Sequence, residues 1–406
     1  TITDSVDATG LTLSASETIT EGGSIVYTAT LTNAAQTPVT VTLSNGSVIT
    51  IAAGETTGTI AVNTPANDVY NNGSTVSTTI TGATGGNFES LVPSTTPAVT
   101  TITDTIDTST VSLSATSTVA EGGTVVYTAS VNAPVTDAPL VVTLSNGQTI
   151  TIPVGASSAS VNFVTANDAL AGGTNLSVKI DDAKGGNYEK LDIDGKPANT
   201  AVTDVQDDTG LSLSATGTVA EGGQITYTAT LTQAAGTPVT VTLSNGATIN
   251  IEAGKTTGTV TVNAPKDDVY QDAGNVQATI QSATGGNFEH LVPSTTPAVT
   301  AVTDTVDNTT VSISGSSSVT EGQAATYTVS LTNPAQTEVT LKLVYSGTAA
   351  DGSDFTGVYT VKIPANATSA TFNVATLDDK ITEVTENFVV KIDSATGGNF
   401  EHLAIS

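Results

Sequence analysis

The chain has 406 residues, with 38 acids, 10 bases that are all lysines, and a net charge of −28. This charge excludes nucleic acid as a partner, because no basic surface could neutralise phosphates, and it argues equally against anionic membrane surfaces. The absence of cysteine excludes disulfides and thiolate metal sites, and no apolar run is long enough for a transmembrane helix. No signal peptide is visible and methionine is absent, so we expect an internal fragment of a longer protein.

One unit of about 100 residues recurs four times. Glu-Gly-Gly or Glu-Gly-Gln begins at positions 21, 121, 221 and 321, and Gly-Gly-Asn-(Phe/Tyr)-Glu occupies 85–89, 185–189, 285–289 and 397–401. A unit of this length is a domain rather than a solenoid turn. The spacing predicts four tandem domains with the boundaries 1–104, 105–204, 205–304 and 305–406.

Within the first unit, apolar and polar residues alternate with the period of a β-strand. In residues 24–32, Ile25, Tyr27 and Leu31 share one face, while threonines occupy the other. Residues 37–44 alternate in the same way, and the Asn-Gly that follows predicts a hairpin. Further strands are predicted near 11–16, 47–52, 56–63, 74–81 and 98–103. Seven short strands per unit predict an all-β chain of four immunoglobulin-like, Greek-key β-sandwich domains arranged end to end.

Acidic residues that are distant in sequence converge at one end of each predicted sandwich. Successive strands run in opposite directions, so the loops after the first, third, fifth and seventh strands share one end, here called the far pole. The Gly-Gly-Asn motif falls at the opposite end, the near pole. The far-pole acids are Glu21, Asp68, Asp104 and Asp107 in the first unit; Glu121, Asp168, Asp204 and Asp207 in the second; Glu221, Asp267, Asp268, Asp304 and Asp307 in the third; and Glu321, Asp351, Asp354, Asp378, Asp379 and Glu383 in the fourth.

Three or four carboxylates at one pole, without a recurring lysine, would repel one another strongly. A set of oxygen ligands without His or Cys suits a hard cation, and Ca²⁺ accepts six to eight oxygens in flexible geometry, whereas Mg²⁺ needs a stricter octahedron. We therefore predict Ca²⁺ at each far pole. Because Asp104 and Asp107 lie where one unit leads into the next, the ion would also hold the joint. The alternative is a solvated acidic end that keeps neighbouring domains from aggregating.

Several motifs resemble the tandem repeats of LapA-type RTX adhesins, which are large surface proteins of Gram-negative bacteria exported by type I secretion. The resemblance is carried by ATLTNAAQTPVTVTLSNG (29–46), ATGGNFE (83–89), STTPAVTTITDTID (94–107) and VAEGGTVVYTA (119–129). It implies an extracellular or cell-surface extender that holds an adhesive module away from the cell for attachment and biofilm formation.

The fourth unit resembles a Calx-β domain, a Ca²⁺-binding sandwich, through GTAADGSDF and IPANATSATFNVATLDDKITEVTENFVVKI. In that family an early Glu and the Asp of a GSDF-type loop bind Ca²⁺. The resemblance therefore implies ligand roles for Glu321 and Asp354, with Asp378 and Asp379 as further ligands.

Catalysis is not predicted, because there is no nucleophile elbow and the two histidines, His290 and His402, occupy a slot that holds Ser or Lys in the other units. The main alternative function is a Ca²⁺-dependent module that binds a carbohydrate or protein ligand, for which Tyr70 and Tyr270 are the candidate exposed aromatics.

The predicted partners are calcium ions and the neighbouring domains of the same chain, with no membrane insertion. Strand edges rich in Thr and Ser predict a monomer. Four domains stacked end to end would form a rod of about 150 Å.

Overall fold

A computed structural model describes residues 1–378, 382 and 384–406. These residues form 38 β-strands. The described part of the chain has no helix with the length and apolar character needed to cross a membrane. It divides into two compact units, Thr1–Asn167 with Gly172–Val205, and Asp168–Ala171 with Gln206–Ser406. Repeats one and two make up nearly all of the first unit, and repeats three and four nearly all of the second.

Repeats one to three each contain ten strands. In repeat one they are β1 (Ala8–Ala15), β2 (Thr18–Thr20), β3 (Ser24–Leu31), β4 (Val39–Leu43), β5 (Val48–Ile51), β6 (Thr57–Asn63), β7 (Ser74–Thr78), β8 (Ile80–Gly85), β9 (Ser90–Pro93) and β10 (Ala98–Thr103). In repeat two they are β11 (Thr108–Ala115), β12 (Thr118–Ala120), β13 (Thr124–Val131), β14 (Leu140–Leu144), β15 (Thr149–Ile152), β16 (Ser158–Val164), β17 (Asn175–Val178), β18 (Ile180–Lys184), β19 (Lys190–Ile193) and β20 (Ala198–Thr203). In repeat three they are β21 (Asp208–Ala215), β22 (Thr218–Ala220), β23 (Gln224–Leu231), β24 (Val239–Leu243), β25 (Thr248–Ile251), β26 (Thr257–Asn263), β27 (Gly274–Ala278), β28 (Ile280–Gly285), β29 (His290–Pro293) and β30 (Ala298–Thr303).

Repeat one is a β-sandwich. One layer is the sheet β6-β3-β1-β9, and the other consists of two smaller sheets, β5-β4-β8 and β2-β10-β7. Tyr27 and Leu31 on β3 pack against Val41 on β4 and Ile49 on β5, and all four side chains are buried. The period-two prediction for this segment is confirmed, because the alternating apolar face forms the core and the threonine face is solvated. The chain therefore folds as tandem immunoglobulin-like β-sandwiches.

The prediction of seven strands per repeat is wrong in number. The segment predicted as one strand at 74–81 is broken at Thr79, whose backbone exchanges hydrogen bonds with Ser44. The break lets β7 pair with β10 in one sheet while β8 pairs with β4 in the other. The other two additional strands, β2 and β9, are short and run parallel to β10 and β1.

The strands of repeat four are β31 (Asn308–Gly315), β32 (Ala324–Leu331), β33 (Val339–Gly347), β34 (Phe355–Thr356), β35 (Thr360–Ile363), β36 (Ser369–Thr376), β37 (Phe388–Gly397) and β38 (His402–Ile405). This repeat has a different sheet arrangement, with the five-stranded sheet β34-β36-β32-β31-β38 opposite the three-stranded sheet β35-β33-β37. The pairing of β33 with β37 is longer than the equivalent pairing of β4 with β8, and a connection that contains β34 replaces the tight turn between β4 and β5.

Candidate metal centre

The turn after β2 places Glu21 at the far pole of repeat one. The backbone N–H of Glu21 donates to Thr103 O (3.0 Å), and that of Gly22 donates to Pro65 O (2.7 Å). Gly22 has a φ of +71°, a conformation that favours glycine. The Glu-Gly-Gly motif therefore fixes Glu21 between the end of β10 and the loop after β6, with a side chain only 7% exposed.

The loop after β6 and the end of β10 each bring a further acid to this turn. Asp68 accepts hydrogen bonds from the backbone N–H of Tyr70 (2.8 Å) and from Asn72 Nδ2 (2.9 Å). Asp104, directly after β10, accepts one from the backbone N–H of Asn72 (3.2 Å). The structure thus brings Glu21, Asp68 and Asp104 together.

A carboxylate from repeat two completes this cluster. One carboxylate oxygen each from Glu21, Asp104 and Glu189 lies within 4.8 Å of the others. Glu189 Oε2 accepts a hydrogen bond from the backbone N–H of Asp107 (2.6 Å). By contrast, Glu21 Oε1, Asp104 Oδ1 and Glu189 Oε1 are buried and have no hydrogen-bond partner among the described residues. Oxygens at this spacing can share one cation at about 2.4 Å, and orphaned buried carboxylate oxygens are what a hard cation would satisfy.

The electrostatics of Glu21 reflect this crowding. Burial raises the pKa of Glu21, and the nearby carboxylates of Asp68 and Glu189 raise it further, whereas a hydrogen bond from the Thr105 backbone lowers it. Without a cation, the cluster therefore disfavours its own ionised form.

Apolar and backbone contacts position Glu189. The rings of Tyr70 and Tyr188 stack with their centroids 5.6 Å apart. The backbone N–H of Glu189 donates to Val69 O (3.0 Å), and that of Asn71 donates to Asn187 O (3.0 Å). Tyr70 therefore packs at the joint between repeats one and two.

The second unit repeats this arrangement between repeats three and four. One oxygen each from Glu221, Asp304 and Glu401 lies within 4.8 Å of the others. Glu401 Oε2 accepts from the backbone N–H of Asp307 (2.5 Å), while Glu401 Oε1 is buried and has no partner among the described residues. Tyr270 stacks on Phe400, a residue of repeat four, with centroids 5.7 Å apart.

Repeat three has an additional acid next to Glu221. The opposing carboxyl of Asp272 and then burial raise the pKa of Glu221 to about 7, with a further contribution from Asp304. One oxygen each from Glu221, Asp268 and Asp272 also lies within 4.8 Å of the others. The sequence prediction did not include Asp272.

The other predicted residues of repeats one to three accept hydrogen bonds from nearby side chains or donate their backbone N–H groups. Asp107 accepts from Asn67 Nδ2 (2.6 Å), and Asp267 from the Thr305 hydroxyl. Asp107, Asp207 and Asp307 all donate a backbone N–H to the glutamate of a Gly-Gly-Asn motif, so this position contributes its main chain to the cluster.

In repeat two, the predicted acids accept backbone hydrogen bonds that match those of repeat one. Within the first unit, Glu121 accepts from Val205 N (3.2 Å) and Asp204 from Gly172 N (2.7 Å). Within the second unit, Asp168 accepts from Leu170 N (2.8 Å).

Repeat four separates two acids that the sequence analysis grouped. Glu321 and Asp354 line a cavity of about 320 Å³ together with Glu386, which was not predicted. Asp351 instead accepts hydrogen bonds from the Gly357 backbone (2.8 Å) and the Tyr359 hydroxyl, and it lines a different cavity. Asp351 therefore lines a different cavity from Glu321 and Asp354, and its assignment to the same acidic set stays a prediction. Asp378 lies next to Gly322, while Asp379 and Glu383 fall outside the described residues.

Sequence reasoning missed Glu189 and Glu401 because it assigned the Gly-Gly-Asn motif to the near pole of its own repeat and went no further. At each joint described above, the near-pole position of the motif decides which acidic set its glutamate joins. The near pole of one repeat meets the far pole of the repeat before it, so a glutamate at a fixed near-pole position belongs to the preceding acidic set. The recurrence of Glu after Gly-Gly-Asn-(Phe/Tyr) was the available indication.

Comparison with solved structures finds distant likenesses. The crystal structure of CBD12 from CALX1.2 is 12% identical, with 46% of this chain and 81% of that chain covered and a TM-score of 0.20. The calcium binding domain CBD12 of CALX1.1 is 14% identical, with 46% of this chain and 81% of that chain covered and a TM-score of 0.21. Escherichia coli alpha-2-macroglobulin activated by porcine elastase is 9% identical, with 98% of this chain and 53% of that chain covered and a TM-score of 0.17.

No curated protein sequence matches the chain. The family model of the LapA domain matches four successive segments, residues 7–105, 107–205, 207–305 and 307–406. These matches cover nearly the whole chain and coincide with the four structural repeats. The chain belongs to the LapA domain family.

Proposed function

We propose that this chain is an extender segment of a secreted bacterial cell-surface adhesin, and that Ca²⁺ stiffens the joints between its repeats. The extender would project an adhesive module from the cell for attachment and biofilm formation. Family membership and the tandem β-sandwich architecture support a structural rather than a catalytic role. The boundaries proposed for the four domains remain 1–104, 105–204, 205–304 and 305–406.

The observation that carries this proposal is the orphaned carboxylate cluster of Glu21, Asp104 and Glu189. Its ligand atoms come from two repeats, so a cation held there would link those repeats. Ca²⁺ fits the donors, because they are all carboxylate oxygens on loops and can adapt to a flexible coordination sphere. In the second unit Glu221, Asp304 and Glu401 would hold the equivalent ion.

The residues of the chain prepare the joint before any cation binds. The Tyr70–Tyr188 stack and the backbone bonds around Asn187 orient Glu189 toward Glu21. When bound, Ca²⁺ would supply the positive charge that offsets the repulsion among the clustered acids. Binding energy at such a site is also folding energy. The chain would therefore be less stable where Ca²⁺ is scarce and gain stability after export.

Solution X-ray scattering of the intact chain tests the spacer role. In millimolar Ca²⁺ we expect the profile of an extended rod, and in EDTA a broader distribution with a smaller mean radius of gyration. The double variant Glu21→Gln/Glu221→Gln should resemble the EDTA state even in Ca²⁺. A matched control is Glu89→Gln, because Glu89 occupies the motif position of Glu189 but is exposed. Identical profiles in Ca²⁺ and EDTA would contradict the proposal.

A further inference from the structure

The loops that approach the two acidic clusters, residues 65–73 and 265–273, differ at five positions, and one of these differences places a new carboxylate next to the shared glutamate. Repeat one has Asn72 there, and its Nδ2 donates to Asp68 Oδ2 (2.9 Å). Repeat three has Asp272 at the equivalent place, and both residues donate their backbone N–H to the aspartate after the last strand, Asp104 or Asp304. A hydrogen-bond donor in the first unit is thus replaced by a carboxylate in the second.

This replacement creates a second set of oxygen ligands in repeat three. Glu221, Asp268 and Asp272 each have an oxygen within 4.8 Å of the other two, next to the trio that Glu221 forms with Asp304 and Glu401. The two trios share Glu221. In the first unit, the described residues form the single trio of Glu21, Asp104 and Glu189.

The shared glutamate is buried, and its side-chain hydrogen-bond partner is another acid, Asp272. Glu221 is 7% exposed. Its carboxylate accepts one long bond from the backbone N–H of Asp268 (3.4 Å), which is weak at this distance. Its other side-chain neighbours include the carboxylates of Asp272 and Asp304. Glu401 Oε1, which belongs to the trio with Asp304, is buried and has no partner among the described residues. One divalent cation would leave most of these negative charges uncompensated.

From this arrangement we propose that the joint between repeats three and four binds two divalent cations bridged by Glu221, whereas the joint between repeats one and two binds one. Asp268 and Asp272 are the additional ligands. The inference rests on the proposed function, since it adds a second position to the same Ca²⁺ site. It makes the identity of residue 72 or 272 the determinant of how many ions a joint holds.

A reciprocal pair of substitutions in the intact chain tests this inference. Bound ⁴⁵Ca²⁺ per chain is measured by equilibrium dialysis for the wild type, Asp272→Asn and Asn72→Asp, with correct folding verified by circular dichroism. We expect Asp272→Asn to lose one ion per chain and Asn72→Asp to gain one. Glu252→Gln serves as the control for loss of one charge, because Glu252 is exposed on the same repeat, and it should leave the number unchanged.

The outcomes separate the two proposals. Unchanged stoichiometry in both Asp272→Asn and Asn72→Asp, with Ca²⁺ still bound by the wild type, overturns the second ion and leaves the proposed function standing. A wild type that binds no Ca²⁺ overturns both. If Asp272→Asn does not fold, the gain expected from Asn72→Asp decides the question alone.

Discussion

Glu21 of repeat one and Glu189 of repeat two direct buried carboxylate oxygens into one cluster, and neither Oε1 atom has a hydrogen-bond donor among the described residues. We propose on the basis of this pair that the joint is a cation site rather than a simple packing surface. It is also held in place by contacts that need no cation, since Tyr188 stacks on Tyr70 one residue before Glu189. The joint therefore combines a preformed apolar contact with an electrostatic element that depends on conditions.

The effect of Glu189→Gln on the melting temperature should have opposite signs with and without calcium. In EDTA the neutral amide relieves repulsion with Glu21, so the melting temperature should rise above that of the wild type. In Ca²⁺ at 100 times its dissociation constant, the wild type should gain about 2.7 kcal/mol per site, and the variant should lose this gain at one site. Calorimetry in both conditions measures the effect. Glu89→Gln, at the same motif position, should behave like the wild type. If Ca²⁺ stabilised Glu189→Gln as much as it stabilises the wild type, Glu189 would not be a ligand.

The calcium-free chain should become more stable as the pH falls. The folded pKa of Glu221 is raised from 4.5 to about 7, and that of Glu21 is raised as well. A group whose pKa is raised on folding contributes stability that is fully present below its unfolded pKa and is lost as the pH rises through its folded pKa. The melting temperature in EDTA should therefore increase between pH 8 and pH 5. In Glu221→Gln this increase should shrink, and a wild-type profile that is flat or falls toward pH 5 would contradict the assignment.

The hydroxyl of Tyr188 should lose its proton at a higher pH than that of an exposed tyrosine. Burial, and then the neighbouring Tyr70, raise the pKa of Tyr188 from 10.0 to about 12. Its contribution to stability is present below pH 10 and is lost as the pH rises through about 12. The difference between alkaline absorbance titrations of the wild type and Tyr188→Phe isolates this residue. Phenylalanine occupies the position in the other three repeats, so the variant should fold. A difference curve with its midpoint near 10 would show that the ring is exposed and the joint open.

Tyr70→Ala should loosen the joint of the first unit, where Tyr70 packs against the edge of the repeat-two core. The substitution removes the stack on Tyr188, worth about 0.5–1.5 kcal/mol beyond buried area, and the hydroxyl bond to Pro134 O (2.6 Å). Protease Asp-N should then cleave faster at Asp104 or Asp107 in the linker. Tyr27→Phe is the comparison, since it removes a buried hydroxyl bond to Thr78 inside repeat one. That variant should lower the melting temperature and leave early linker cleavage unchanged.

Strand parity alone predicted that Glu21, Asp68 and Asp104 would meet, because alternating strand directions constrain which loops share a pole. Contacts across a joint were not predictable in this way. They depend on the rotation between neighbouring repeats, which the spacing of Glu189 does not encode. Repeat four shows a second limit, since Asp351 and Asp354 are three residues apart yet line different cavities. Asp354 bonds back to Ala350 N, while Asp351 is drawn toward Tyr359 by side-chain contacts that alternation does not specify.

A crystal structure of the chain grown in millimolar CaCl₂, with anomalous difference maps, tests the central claim most directly. We expect an anomalous peak coordinated by Glu21, Asp104 and Glu189, and another bound by Glu221, Asp304 and Glu401. Maps without such peaks, with the six carboxylates turned outward into solvent, would contradict the account.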